Sequence, residues 1–273
     1  LDALCTEILS DETLNVLTLC GPSCSGKTIL CDRLSYYISE RGRNVVVVSL
    51  DNFFHNTKEC DRSRTDLKDL DYDSPEHIDF ETFRQFKEGF FAGKKVEIPV
   101  YDLGLGKRIG KKEIIPSGND FVIFEGIQAF YPQFVSIMSD MKYKKAFVSV
   151  ISGFEKDGVR FDPIEIRFIR RLVRDYYFRS SPPFFTYLLW KNVVRNENKN
   201  ILPFAPCADY YFDSGIQYEL PVLVDSLRSI LSEMPESSEY GESAKELMEK
   251  VGVIKGIPLD FIPQTSICRE FVR

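Results

Sequence analysis

Two histidines and one tryptophan are all that this chain of 273 residues holds of either type. Neither His55 nor His77 lies near Cys20, Cys24 and Cys31, the one close group of cysteines, so no zinc site is expected. The seven cysteines include no Cys-x-x-Cys pair and no regular framework, which argues for reduced thiols and a cytoplasmic setting. No apolar run approaches the ~20 residues of a membrane-spanning helix. Leu1–Leu9, with Asp2 and Glu7 and no basic stretch, does not read as a secretory signal. Positive charge is short as well: the formal net charge is −6, so no global field recruits nucleic acid. The chain starts at Leu1 rather than Met, which fits a part cut from a longer polypeptide.

What is there reads as an α/β protein. Hydrophobic residues at 44% and charged residues at 28% are ordinary for a domain with a full core. Short apolar runs at 14–20, 44–50, 121–124, 146–151 and 208–212 predict five strands. The four consecutive valines, Val45–Val48, make the second a buried strand rather than a helix. Helical patterns follow from Lys27 to about Arg41, at 80–91, from Pro163 to about Tyr177, and near 221–231 and 242–251. Such alternation implies a doubly wound parallel sheet covered on both faces. We expect a single domain over 1–273. It would carry a polar insertion over the sheet edge at 52–118, a lid region at 160–200, and a C-terminal helix and tail at 235–273.

The strongest motif is Gly21-Pro22-Ser23-Cys24-Ser25-Gly26-Lys27-Thr28, a full G-x-x-x-x-G-K-[ST] match between a strand and a helix. The two glycines allow close backbone approach. Loop N–H groups and the helix N-terminus polarise the turn for phosphate oxygens. Lys27 reaches the β- and γ-phosphates of a nucleoside triphosphate, and the Thr28 hydroxyl suits Mg²⁺. No guanine-reading Asn-Lys-x-Asp is present, since Asn198-Lys199-Asn200-Ile201 lacks the Asp, so ATP is the expected nucleotide.

Three further groups belong with that loop. Glu125 ends the third strand and is a candidate for orienting Mg²⁺ or its water, with a helix cap as the plainer reading. Asp51 directly follows the second strand at its carboxyl end, where open α/β sheets bind ligands. A carboxylate there can take the proton of an attacking hydroxyl, or merely cap a turn. Arg167, Arg170, Arg171 and Arg174 fall at i, i+3, i+4 and i+7 on one helix face. With only Asp175 nearby they should repel one another unless an anion comes between them, which reads as a lid over ATP. A solvated basic face is the alternative.

Taken in order, the phosphate loop, Ser49-Leu50-Asp51-Asn52-Phe53-Phe54, Tyr72-Asp73-Ser74-Pro75-Glu76, Pro99-Val100-Tyr101-Asp102, Phe124-Glu125-Gly126-Ile127 and Arg167-x-x-Arg170-Arg171-x-x-Arg174-Asp175 resemble the uridine kinase branch of the phosphoribulokinase/uridine kinase family. Gly106-Lys107-Arg108, Trp190, Arg195, Lys199-Asn200-Ile201 and the tail Ser266–Phe271 are most similar to its long bacterial-type members. In those the kinase often follows a region similar to threonyl-tRNA synthetase. The resemblance implies phosphorylation of a nucleoside, uridine- or cytidine-like, at its 5′-hydroxyl with ATP and Mg²⁺. Asp51 would be general base. Thr28, Glu125 and Asp51 would surround Mg²⁺, and Lys27 with Arg167, Arg170 and Arg174 would act on the phosphates. Asp73 would hold the ribose, with Tyr72 and Tyr101 near the nucleoside and Arg108, Arg195 and Lys199 as further site residues. The partner implied is a small molecule, not nucleic acid or a membrane, and a homo-oligomer stays open.

Two departures stand out. The pyrimidine-reading His of uridine–cytidine kinases is replaced by Gly106, and the family's Phe-Tyr after the base is Phe53-Phe54. A different small hydroxyl acceptor, such as a sugar phosphate, and an ATP-binding regulator without turnover therefore remain alternatives.

Overall fold

The computed structural model describes residues 1–56 and 73–272. They form two compact units: Leu1–Pro22, Lys27–Val148 and Val194–Phe212 make the first, and Ser23–Gly26, Ser149–Val193 and Asp213–Arg273 the second.

The first unit is built on a sheet. Helix α1 (Asp2–Ser10) leads to strand β1 (Val16–Cys20), helix α2 (Lys27–Ser39) and strand β2 (Asn44–Ser49). A 3₁₀ turn at Leu50–Phe53 follows, and helix α3 (Phe80–Phe91) comes later. The hairpin β3 (Val96–Asp102) and β4 (Lys107–Ile114) precedes β5 (Asp120–Glu125), a 3₁₀ turn at Ile127–Phe130, α4 (Pro132–Ile137) and β6 (Lys144–Ser149). With β9 (Tyr210–Asp213) the order is β2-β5-β1-β6-β9, and β2–β5, β5–β1 and β1–β6 pair in parallel.

Side chains alternate across the sheet, as the period of a strand requires. Leu17, Leu19, Phe121 and Ile123 join Leu4, Ile8, Leu34 and Ile38 from α1 and α2 in one core. Val16, Cys20, Val122 and Phe124 join the other, where α3 contributes Phe83, Phe86 and Phe90. Ring pairs Phe83–Phe134 at 4.9 Å and Phe83–Phe124 at 5.4 Å pack its centre. The expected insertion thus lays one helix onto a sheet face rather than only over an edge.

One expectation is corrected. The strand of valines is not buried throughout: β2 ends the sheet order, only its Val48 is buried, and Val47 is exposed. An apolar run does not distinguish an edge strand from a central one. Helix α1, the β3–β4 hairpin and a helix over Pro183–Asn200 were not anticipated from the sequence.

The second unit holds the hairpin β7 (Phe154–Lys156) and β8 (Val159–Phe161), joined by Asp157-Gly158, both at positive φ. An Asp-Gly pair is the preferred chemistry for such a two-residue turn. Helix α5 (Pro163–Arg179) opens with a capping box from Asp162 and Glu165 and closes at Ser180, φ 50°. Helix α6 (Pro183–Asn200) starts in this unit and ends in the first. Helices α7 (Glu219–Ser232) and α8 (Gly241–Lys250) and a 3₁₀ turn at Ile267–Glu270 complete it. No described helix is long and apolar enough to cross a membrane.

Arg43, buried, ties the start of β2 to the N-terminal segment. It donates to the carbonyls of Ile8 and Leu14, both at 2.8 Å, bonds Asn15, and lies over the Phe121 ring at 5.0 Å. Arg43→Ala strands two buried carbonyls, and about 2–4 kcal/mol of unfolding free energy should be lost in urea titrations.

Candidate functional site

Parallel register sets the candidate site residues of the first unit. Ser49 pairs with Glu125, and Glu125 with Leu19, so β2, β5 and β1 end level with one another. Two strand spacings, about 10 Å, separate the chain leaving β2 from the chain leaving β1. Asp51, Glu125 and Gly21 begin there. Lys27, at the start of α2, donates its ammonium to the carbonyls of Gly21 and Pro22, each at 3.0 Å. Thr28 follows in the first turn of α2, exposed to solvent.

Asp51 sits in the 3₁₀ turn after β2, and Gln128 Nε2 donates to its Oδ1 at 2.8 Å. Gln128 is 1% exposed, and its own Oε1 finds no partner among the described residues. Gly126 explains how it fits. Its φ of 156° suits glycine, and a Cβ there would meet Gln128 Oε1 at 2.3 Å and Leu50 Cβ at 3.0 Å. The Glu-Gly pair thus leaves room for an amide that holds Asp51.

Next to Asp51, Asn52 Oδ1 accepts from the Tyr101 backbone N–H at 3.1 Å, and the Phe54 and Tyr101 rings lie 5.5 Å apart. The 3₁₀ turn and the β3–β4 hairpin are therefore joined one residue beyond Asp51. Arg108 is engaged inside the protein: Nη2 donates to Asp79 Oδ2 at 3.0 Å and Nε to the Phe54 carbonyl at 3.0 Å. Burial would raise the Asp79 carboxyl, but bonds from Thr82 and Arg108 hold it below the usual range. The Asp73 carbonyl accepts from Tyr131 Oη at 2.6 Å, and Asn196 Nδ2 donates to Tyr131 Oη at 3.1 Å. Arg195 and Lys199 are exposed on α6. Tyr72 lies outside the described residues.

The second unit contains the crown of the loop, Ser23–Gly26, together with the arginines of α5. Arg167 Nη1 donates to the Ser23 carbonyl at 3.1 Å, and Arg171 Nη1 to Ser23 Oγ at 2.8 Å. Arg170 Nη1 donates to the Cys24 carbonyl at 3.1 Å. Cys24 is held at φ 59°, a conformation that costs a side chain roughly 1–2 kcal/mol. Ser25 Oγ is buried without a partner among the described residues. A buried, unbonded hydroxyl in a turn of this kind fits a phosphate oxygen as its missing acceptor.

Asp175 was the one counter-charge expected near these arginines, and the structure adds a second, for Arg170. Arg170 is fully buried and paired with Glu219 at 2.5 Å. Arg171, Arg174 and Arg179 all reach the Asp175 carboxylate, at 3.2, 2.9 and 3.3 Å. Glu219 stands 49 positions further along the chain, so helical spacing alone could not pair it with Arg170.

The family model described as phosphoribulokinase/uridine kinase family matches residues 16–181, more than half of the chain. The chain belongs to that family. Among its curated relatives, uridine-cytidine kinase A of Dictyostelium discoideum is 32% identical over 128 residues, 46% of this chain and 24% of that protein. Inorganic pyrophosphatase TTM2 of Arabidopsis thaliana is 28% identical over 179 residues, 65% of this chain and 22% of its own length. The match thus spans about a quarter of these longer relatives. In fold, the chain is similar to a protein described as a fructose transport system kinase from Silicibacter sp. TM1040, with a TM-score of 0.56 at 20% identity, covering 77% of this chain and 97% of that one.

The sequence singles out Asp51, Glu125, the phosphate loop and the arginine helix, but Gln128 and Glu219 were missed. Gln128 carried a faint signal, as a polar residue inside the apolar stretch Ile127–Phe130. Glu219 looked like any first-turn acid of α7.

Asp175 generates a test. Burial pushes its carboxyl up, but the guanidiniums of Arg174, Arg171 and Arg179 outweigh burial and hold it below the usual range. Stability from this ionised group is complete above the unfolded carboxylate pKa, about 4, and is lost as pH falls through the lower folded value. Asp175→Asn should lose about 3 kcal/mol at neutral pH. Its urea midpoint should also depend less on pH in the acid range than that of the unsubstituted protein.

Proposed function

We propose that this protein is a P-loop kinase that transfers the γ-phosphoryl group of ATP to the 5′-hydroxyl of a nucleoside, uridine- or cytidine-like, giving the nucleoside 5′-monophosphate. The observation that carries the reading is the Asp51–Gln128 hydrogen bond at the carboxyl end of β2, level with Glu125 and the start of the phosphate loop. An amide that donates to one carboxylate oxygen leaves the other to accept a proton and fixes where it points.

In this mechanism the acceptor oxygen attacks the γ-phosphorus and the bond from that phosphorus to the β–γ bridging oxygen breaks. ADP leaves, and Asp51 takes the hydroxyl proton. Loop N–H groups, Lys27 and the Ser25 hydroxyl hold the phosphates; Arg167 and Arg174 supply positive charge to them. The Thr28 hydroxyl and the Glu125 carboxylate offer the hard oxygen ligands Mg²⁺ prefers, with Asp51 as a third candidate. A bound Mg²⁺ would neutralise charge on the phosphates. Among the described residues no cluster of three or more His, Cys, Asp or Glu groups could hold a metal alone. Asp73 and Tyr101 bind the nucleoside.

One feature favours a second acceptor class with the same chemistry. The tip of the β3–β4 hairpin presents Gly106, φ 62°, which has no side chain to read a base edge. A sugar phosphate is the alternative acceptor.

A coupled assay of ADP release, run with a nucleoside panel and a sugar-phosphate panel, separates the readings. Stimulation by pyrimidine nucleosides is expected, with the product confirmed by mass. Transfer to sugar phosphates alone replaces the acceptor, and tight ATP binding without transfer to anything makes the protein a regulator. Asp51→Asn should lower turnover about 10²–10⁴-fold with ATP affinity retained. Gln128→Leu, which frees the carboxylate to rotate, should lower it about tenfold by mispositioning the base.

A further inference from the structure

Turns that bind phosphate depend on backbone N–H groups staying in one arrangement, so whatever packs behind them matters as much as what they face. Behind Ser23–Gly26 stands the end of the chain. A Cβ on Gly26 would meet Ile267 Cδ1 at 2.1 Å and Ser214 Cβ at 3.5 Å, so the tail is in contact with the loop's second glycine. Arg170 completes the support. Its guanidinium, 0% exposed, donates to the Cys24 carbonyl at 3.1 Å, to Ser214 Oγ at 3.2 Å and the Ser214 carbonyl at 2.8 Å, and to Glu219 Oε2 at 2.7 Å. The Phe271 ring lies 5.1 Å from it.

The tail is itself held in shape. Ser266 Oγ accepts from the Cys268 backbone N–H at 3.3 Å and lies 3.1 Å from Tyr218 Oη. Arg269 donates to the carbonyls of Leu259, Ile262 and Pro263. Cys268 and Phe271 are fully buried. These residues lie beyond the stretch 16–181 that the family model matches.

We propose that the C-terminal segment Ser266–Phe271, with the buried Arg170–Glu219 pair, is a brace that sets the conformation of the phosphate loop, and that Ile267, Arg170 and Glu219 are positioning residues for ATP. Glu219 neutralises Arg170 and aims it; Arg170 fixes the carbonyl of the residue at positive φ; Ile267 backs the glycine that follows. Arg170 therefore serves the loop's backbone and not the nucleotide directly. The proposal rests on the phosphate loop binding ATP.

The test measures ATP affinity by calorimetry and the KM of each substrate for Ile267→Ala, Ile267→Val, Glu219→Gln and Leu227→Ala in the full chain. Leu227 is a buried residue two turns along α7 from Glu219 and serves as the stability control. Ile267→Ala and Glu219→Gln should weaken ATP binding about ten- to a hundredfold while the acceptor KM stays unchanged, as expected for displaced loop donors. Ile267→Val keeps Cγ1 but removes Cδ1, the atom nearest Gly26, and should weaken ATP binding severalfold, less than Ile267→Ala does. It also carries the test if the alanine variant does not fold. Leu227→Ala should lower the melting temperature without changing ATP affinity. Should the Ile267 and Glu219 variants bind ATP as tightly as the unsubstituted protein, or weaken only as Leu227→Ala does, the brace is overturned while the kinase reading stands. An unsubstituted protein that binds no ATP overturns both.

Discussion

Parallel pairing in a fixed register is the constraint from which the rest of the site follows. Because Ser49, Glu125 and Leu19 lie level across β2, β5 and β1, three chain segments leave the sheet together. Each then needs a turn that satisfies its first backbone groups, and the turns differ. After β1 comes a glycine-bounded loop whose lysine folds back onto the carbonyls of Gly21 and Pro22. After β2 and β5 come 3₁₀ turns, which hold Asp51 and Gln128 close enough to bond. A register slip of one residue would reverse every side chain on a strand. The two cores on opposite faces of β5, Phe121 and Ile123 against Val122 and Phe124, prevent it.

Much of this was legible in the chain itself because it is local. A glycine-rich loop between an apolar run and a helical pattern, an acid directly after a strand, and arginines at helical spacing are all properties of neighbours in sequence. Helix α5 is a case where several local signals agree: Asp162 caps, Pro163 opens, Glu165 returns the bond, and Ser180 closes in a left-handed conformation. The placement of Phe83, Phe86 and Phe90 in the core follows the same logic, since they repeat at helical intervals.

What was not legible is whatever depends on the far partner. Helical spacing put Arg167, Arg170 and Arg174 on one side of α5 but could not say that the side is interior. Glu219, Ser214 and Phe271 reach Arg170 from segments with no periodic link to it. For that reason the internal counter-ion of Arg170 was missed. Burying a guanidinium without a counter-ion is costly, so its burial implies a carboxylate somewhere in the chain. Only the fold says which one. The valine strand failed in the same way, because the number of its neighbours is a property of the sheet.

The phosphate loop shows why such non-local support is needed. A turn with Cys24 at φ 59° is strained, and strained backbone persists only where its surroundings over-determine it. Here the surroundings are specific: guanidiniums on the carbonyls of Ser23 and Cys24, and an isoleucine against Gly26 where no Cβ could stand. The eight-residue motif therefore specifies what the turn can bind, while residues near position 219 and at the end of the chain contribute to whether it holds that shape. A family signature ending at residue 181 describes the chemistry of the loop, and its mechanical support lies partly outside that signature.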